Sequence, residues 1–346
     1  MDRAELARIV GDGCVWEREP IRRHTTFRIG GEASYFVAPD TVEDLVELVR
    51  YLRQERVPYF LMGNGSNLLV SDQGYEGVMI TTHMTGKSYE ACQDKTSLDQ
   101  LAFLSSETER KMAEELLGEG FAGRDGLEGK TLVKAASGIL LSTMANAVAE
   151  QGLDGFAFAS GIPGTLGGAV TMNAGAYGGE IGDCILGAML LMPDGREAFL
   201  DREALELGYR TSIIQREGCL VLWALFAFAP GDSQEIFLRM KELNGRRREK
   251  QPLEHGSAGS TFKRPEGYYA GRLIEDAGLK GYRIGDVMVS DKHSGFVVNV
   301  GNGTYEEAMK VIAHVQETVK RMFGVTLELE VKLVNGQTGQ SEECGD

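Results

Sequence analysis

The sequence lacks the signatures of several large functional classes. It has only five cysteines, at Cys14, Cys92, Cys184, Cys219 and Cys344. They are odd in number and show no C-x-x-C spacing, which argues against a disulfide framework or a thiolate zinc site and fits a reducing cytosol. The histidines His24, His83, His255, His293 and His314 show no ligand spacing, so no metal is expected. The longest apolar run, from Leu220 to Ala229, covers half a bilayer and reads as a buried strand. No apolar stretch follows the opening Met1-Asp2-Arg3-Ala4-Glu5, so no signal peptide is visible. A G-x-S-x-G elbow, a P-loop and a G-x-G-x-x-G turn leading into a helix are also missing. Positive charge is scarce, with 36 Lys and Arg against 51 Asp and Glu and a net charge of −15. That balance disfavours nucleic acid or an anionic membrane as a partner.

Glycine is abundant. The 45 glycines among 346 residues exceed the usual share of about 7% and fall in short clusters, as in chains that turn tightly or press backbone against a ligand. Around them an α/β pattern emerges. Val42, Leu45, Val46, Val49 and Leu52 share one helical face, with Thr41 as N-cap. Residues 57–61, 68–70 and 78–80 read as strands. Residues 88–130 are acidic, carry a helix capped near Ser106 and end in glycines, so they read as an inserted excursion rather than a core element. A helix is expected over 142–151 and strands over 185–192 and 220–228, joined through Asp194-Gly195. Thr304 caps a helix with Ala308, Val311, Ile312, Val315 and Val319 on one face, and residues 327–334 form a last strand.

Several clusters can carry chemistry. In Gly63-Asn64-Gly65-Ser66-Asn67, between two strands, backbone N–H groups can face a phosphate; an Asn-Gly hairpin turn is the plainer alternative. The stretch Ser160–Glu180 is small-residue-rich yet punctuated by Ile162, Leu166, Val170 and Met172, which favours ligand contact over a linker. Tyr209-Arg210-Thr211-Ser212, Ser257–Lys263 and Glu328–Lys332 read singly as surface decoration. Together they supply a guanidinium, a hydroxyl and a carboxylate, a set able to donate a proton and hold developing negative charge. The basic cluster Arg246-Arg247-Arg248 with Lys250 is either a solvated helix end or an anion contact.

In order, the chain carries Thr25-Thr26-Phe27-Arg28-Ile29-Gly30-Gly31, the 63–69 turn, Ser160–Glu180, Tyr209–Ser212 and Gln251-Pro252-Leu253. Gly259-Ser260-Thr261-Phe262-Lys263, Ala270-Gly271-Arg272-Leu273-Ile274 and Lys292-His293-Ser294-Gly295-Phe296-Val297-Val298-Asn299 follow. This series resembles the UDP-N-acetylenolpyruvoylglucosamine reductase (MurB) family over most of residues 20–334. The resemblance implies an α+β fold: a two-subdomain FAD-binding module of the vanillyl-alcohol-oxidase type and a C-terminal α/β substrate-binding domain. The expected boundaries are 1–86 and 87–232 for the FAD subdomains, with the insertion at about 88–130, then 233–334 for the substrate domain and a disordered tail over 335–346.

The resemblance also implies roles. Non-covalent FAD would be held by Gly63, Asn64, Gly65, Ser66, Asn67, Ser160, Gly161, Ile162, Pro163, Gly164, Gly167, Gly168, Ala169, Asn173 and Gly175. Ser260 would be the proton donor, with Arg210 and Glu330 acting on the enolpyruvyl carboxylate. Tyr177, Tyr209, Arg247, Lys263 and His293 would contact the substrate. The implied partners are NADPH and UDP-N-acetylglucosamine enolpyruvate, in a cytoplasmic monomer or weak oligomer of peptidoglycan precursor synthesis. The rival readings are an alcohol oxidase on the same module, disfavoured by Ser260 with Glu330, and a non-catalytic flavin or nucleotide-sugar binder.

Overall fold

The computed structural model describes residues 2–82, 101–104, 115 and 127–336. The expected capped helix after Ser106, the glycines from Gly118 to Gly126 and the tail beyond Gly336 lie outside these residues.

The N-terminal part is built on a four-stranded sheet in the order Val15–Pro20, Glu32–Val37, Tyr75–Thr81, Tyr59–Met62. The first pair is antiparallel and the others parallel. Parallel strands need a crossover, and the helix Val42–Gln54 supplies it, started by the Thr41 hydroxyl accepting from the Asp44 amide. Its buried stripe (Leu45, Val46, Leu48, Val49, Leu52) packs with Leu6, Val78 and Ile80. The same core takes in Leu191, Leu220 and Leu222, and Arg53 Nη1 donates to the Met192 carbonyl at 2.6 Å. The helix therefore fastens the first sheet to the second.

The second sheet is antiparallel, in the order Glu197–Asp201, Ile185–Leu191, Leu220–Pro230, Thr131–Ala136, Leu101–Leu104. Two findings correct the sequence reading. Asp194-Gly195 turns Ile185–Leu191 into the edge strand Glu197–Asp201 rather than into Leu220–Pro230. Leu101–Leu104, within the supposed excursion, is the opposite edge of the sheet, with Leu101 and Phe103 packed against its core. The helix Leu141–Glu150 lies in this core beside Phe156, Leu166 and Val170.

The helix Ser233–Lys250 also sends Ile236 and Met240 into the second core, although the expected boundary at 233 put it in the substrate domain. The third part begins after Lys250. Its antiparallel sheet, in the order Gly256–Ser257, Val297–Asn299, Val287–Val289, Arg283–Ile284, is covered by the helix Tyr305–Phe323. Thr304 and Glu307 close a capping box at its start. Ala308, Val311, Ile312, Val315 and Val319 are fully buried on the face read from the sequence.

The expected strand over 327–334 is regular only at Lys332–Val334, which returns to the first part and runs parallel to Leu68–Val70. Before it, Leu329 bridges Phe262. The segment crosses from one partner to another and cannot keep a single ladder. Asn335 and Gly336, expected in the tail, are held by Tyr305 Oη and the Glu76 amide. Among the described residues no helix is long and apolar enough to cross a membrane.

Candidate active site

The two glycine-rich segments meet. Asn64 Nδ2 donates to the Pro163 carbonyl at 3.0 Å, and Gly164 lies beside the Ser66 hydroxyl. Both glycines of the 63–67 turn are required by what surrounds them. A Cβ on Gly63 would strike Thr165 Oγ1, and Gly65, at φ +58°, lies against the His24 carbonyl. The backbone N–H groups of Asn64, Gly65 and Ser66 have no acceptor among the described residues. Backbone donors turned outward from a tight turn form a cradle for an anion. Gly168 is exposed, and a Cβ there would meet only Thr165 Oγ1 at ordinary contact distance, so a flat group can approach the backbone there. These residues fit the pyrophosphate and ring system of FAD.

Other residues expected at the cofactor are engaged in holding the site together. The Ser160 hydroxyl donates to the Ala157 carbonyl and accepts from Asn244 Nδ2. Ile162 packs against the second core and Ala169 is buried in it. Gly161 lies against Asn244 and Arg247, Gly167 against Ser137, and Gly175 pairs with Glu180 in a two-stranded turn. Asn173, with φ +43°, accepts from the Gly182 amide at 2.9 Å and donates to the Gly208 carbonyl at 3.2 Å.

That last bond anchors the Arg210 turn. Gly208 and Thr211 exchange backbone hydrogen bonds of 3.0 and 3.3 Å, and the Ser212 hydroxyl donates to the Thr171 carbonyl at 2.6 Å. Arg210 is held at φ +57°, a left-handed conformation costly for a side-chain-bearing residue and typical of functional turns. Its Nε donates to Glu330 Oε1 at 2.6 Å. Arg210, Glu330 and Ser260 line one cavity of about 370 Å³ with Tyr209 and His293. Here three segments that read singly as decoration converge.

The cavity also takes in Lys292 and Ser294 of the polar 290–296 stretch, together with Arg264, Tyr269, Arg272 and Glu275, which the sequence reading did not assign. Arg264 lies over the Tyr269 ring at 4.0 Å, and its backbone amide donates to Tyr209 Oη. The Ser294 hydroxyl is buried without a hydrogen-bond partner among the described residues. Arg272 stood inside a quoted motif but carried no assignment; Arg264 and the exposed Tyr268-Tyr269 pair could have been flagged as a basic and aromatic cluster. Lys263 does not line the cavity. Its ammonium pairs with Glu328 at 3.2 Å, because successive residues of the extended 262–264 segment point to opposite sides.

His293 Nδ1 accepts from the Gly295 amide at 3.1 Å, and burial lowers its pKa below the ordinary histidine value. Arg247 stands apart from the cavity, beside Gly161 and Tyr177. Its guanidinium makes no hydrogen bond or ion pair among the described residues, and burial lowers its pKa. A half-buried, unpaired cation is suited to an anionic ligand. Tyr177 is exposed and left-handed, at φ +55°.

The turns and the cavity adjoin: Asn67 Nδ2 donates to the Glu330 carbonyl at 3.0 Å and contacts Met172 Sδ at 3.3 Å. The site can thus hold a flat phosphorylated cofactor next to a proton donor and an anion-binding guanidinium.

Comparison with known proteins agrees with this arrangement. The family model described as FAD binding domain matches residues 33–97 and 124–200. The one described as UDP-N-acetylenolpyruvoylglucosamine reductase, C-terminal domain, matches residues 251–334. The reductase of that name from Lachnoclostridium phytofermentans is 46% identical over 330 residues, covering 95% of this chain and 96% of the relative. That of Caldanaerobacter subterraneus is 43% identical, covering 95% and 97%. The crystal structure of the Thermus caldophilus enzyme (MurB) superposes with a TM-score of 0.68 at 31% identity, covering 92% of this chain and 98% of that one. An FAD-binding module followed by this C-terminal domain, with identity of this extent along the whole chain, makes the protein a member of the UDP-N-acetylenolpyruvoylglucosamine reductase family of flavin oxidoreductases.

Proposed function

We propose that the protein uses NADPH to reduce the enolpyruvyl group of UDP-N-acetylglucosamine enolpyruvate, giving UDP-N-acetylmuramate for peptidoglycan synthesis. The observation that carries this reading is the Arg210–Glu330 pair facing one cavity with Ser260, next to the turn suited to FAD.

FAD, held by the 63–67 turn and the 160–175 stretch, would supply the two-electron chemistry that links NADPH to the enolpyruvyl β-carbon. This chain's residues handle the charge and the proton. As the β-carbon gains hydride, negative charge spreads from the α-carbon into the carboxylate. The Arg210 guanidinium, oriented by Glu330, stabilises it where it develops. The Ser260 hydroxyl donates a proton to the α-carbon, completing addition of one hydride and one proton across the double bond. A serine is a poor acid in water, so its transfer depends on the enolate being held beside a cation. Tyr177, Tyr209, Arg247 and His293 are assigned to substrate contact. Lys263 is paired with Glu328 outside the cavity lining, and only release from that pair would free its ammonium for the substrate.

The net charge of −15 and the thiols of Cys184 and Cys219, which form no disulfide among the described residues, support action in the reducing cytoplasm, away from nucleic acid. The test is a yellow purified protein that oxidises NADPH only when the enolpyruvyl sugar nucleotide is present. A colourless protein that FAD cannot reconstitute would overturn the proposal.

A further inference from the structure

Asn67 belongs to the flavin turn, yet its side chain reaches the backbone of the segment that carries Glu330. Its Nδ2 donates to the Glu330 carbonyl at 3.0 Å and lies 3.3 Å from Met172 Sδ. Its own carbonyl accepts from the Lys332 amide at 2.9 Å. Asn67 thereby grips the chain on both sides of Val331. From the other direction the Thr261 carbonyl accepts from the Glu330 amide at 2.9 Å, and Thr261 follows Ser260. The Glu330 backbone is thus held between the flavin turn and the proton-donor loop, while its carboxylate holds Arg210 at 2.6 Å.

The geometry points to Asn67 as a positioning residue: it fixes Glu330, and through Glu330 the Arg210 guanidinium, relative to the bound flavin. The inference rests on the function proposed above and reassigns Asn67 from cofactor contact to alignment of the second half-reaction. The physical reason is economy of motion. A carboxylate reached from a segment that crosses between two domains is placed only as well as its backbone is held. A misplacement of about 1 Å between reacting groups can cost about a hundredfold in rate. The same contacts give the flavin turn a direct route to the substrate cavity, so a tighter turn means a better-placed Arg210.

The test uses the FAD-loaded enzyme under anaerobic stopped flow and follows flavin absorbance. Asn67→Ala and the near-isosteric Asn67→Asp both remove the Nδ2 donor. Each should bind FAD and be bleached by NADPH within about twofold of wild type, while reoxidation by the enolpyruvyl sugar nucleotide slows about 10- to 100-fold. Asn67→Gln, which keeps the donor, should recover part of that loss. In a Glu330→Gln background, Asn67→Ala should cost less than in wild type, because both act on one placement.

Tenfold weaker FAD binding with normal reoxidation would make Asn67 a cofactor ligand and overturn the inference. Unchanged half-reactions, or additive losses with Glu330→Gln, would overturn it too. Should one variant not fold, the other carries the comparison. Failure of the wild-type flavin to be reoxidised by this substrate would instead remove the functional proposal beneath it.

Discussion

Arg210 and Glu330 stand 120 residues apart in sequence and meet through a single edge of the guanidinium, Nε to Oε1 at 2.6 Å. The two terminal nitrogens of Arg210 make no hydrogen bond among the described residues. Glu330 therefore orients the fork without covering it, and a substrate carboxylate can take both remaining nitrogens.

Substitution at this pair should separate binding from alignment. Arg210→Lys keeps the charge but loses the planar fork, so it should lower kcat with the sugar nucleotide about 100- to 1000-fold. Glu330→Gln should cost less, because an amide oxygen still accepts from Nε. Rapid-reaction traces of flavin reduction by NADPH should be the same for both variants and wild type; slower reduction would mean that the pair serves the nicotinamide instead.

Ser260→Ala should leave that first half-reaction intact and reduce turnover of the sugar nucleotide by about 100- to 10,000-fold. A variant that retained turnover would show that the proton comes from elsewhere, with Ser294 a second hydroxyl in the cavity lining. Loss of both half-reactions would mean that the serine has a different role.

Gly65→Ala tests the cradle. At φ +58°, with the His24 carbonyl and Thr25 Cα in the path of a Cβ, the turn must shift at a cost of more than about 1 kcal/mol. The variant should purify with substoichiometric flavin and a lower Tm, both read from one sample by absorbance and thermal melting. Full occupancy would show that the turn does not bear on the cofactor.

Buried His24 and half-buried His293 bear on stability in acid. Burial lowers the pKa of His24 and of His293 below the ordinary 6.5. For a histidine lowered on folding, the unfolded chain takes up its proton first as pH falls. The stability they confer is therefore complete above pH 6.5 and is lost as pH drops from 6.5 toward the lowered folded values. Denaturant melts at pH 7.5 and 5.5 should show the loss, and His293→Gln should reduce it. A pH-independent midpoint across that interval would contradict the assignment.

What the sequence disclosed, and what it concealed, follows from the range of the interactions. The helix Tyr305–Phe323 was legible because Thr304, Glu307 and five apolar residues on one face are all local signals. The glycine turn was legible for the same reason. The edge strands were not: Leu101–Leu104 is an apolar run of only four residues set in an acidic segment, and Glu197–Asp201 shows no clean alternation. Residues 327–334 looked like one strand because composition cannot show that a segment changes partner midway.

At the site, the family motifs marked Arg210, Ser260 and Glu330, but their convergence depends on contacts spanning 120 residues. Arg264, Tyr269 and Arg272 escaped assignment because an exposed loop and a short helix impose no pattern on their sequence. Lys263 was expected at the substrate, and only strand geometry shows that its neighbours face the cavity instead.

The parallel pairing of Lys332–Val334 with Leu68–Val70 also has a bearing on how the protein is made. Synthesis runs from the N-terminus, and Glu330 is added 263 residues after Asn67. Through nearly all of translation, Leu68–Val70 lacks this strand neighbour and the flavin turn lacks the segment that braces it. An unpaired strand edge is a template for wrong pairing, so the nascent chain carries this exposed seam until its last stretch emerges. Cofactor site and reaction site are then completed in the same late event.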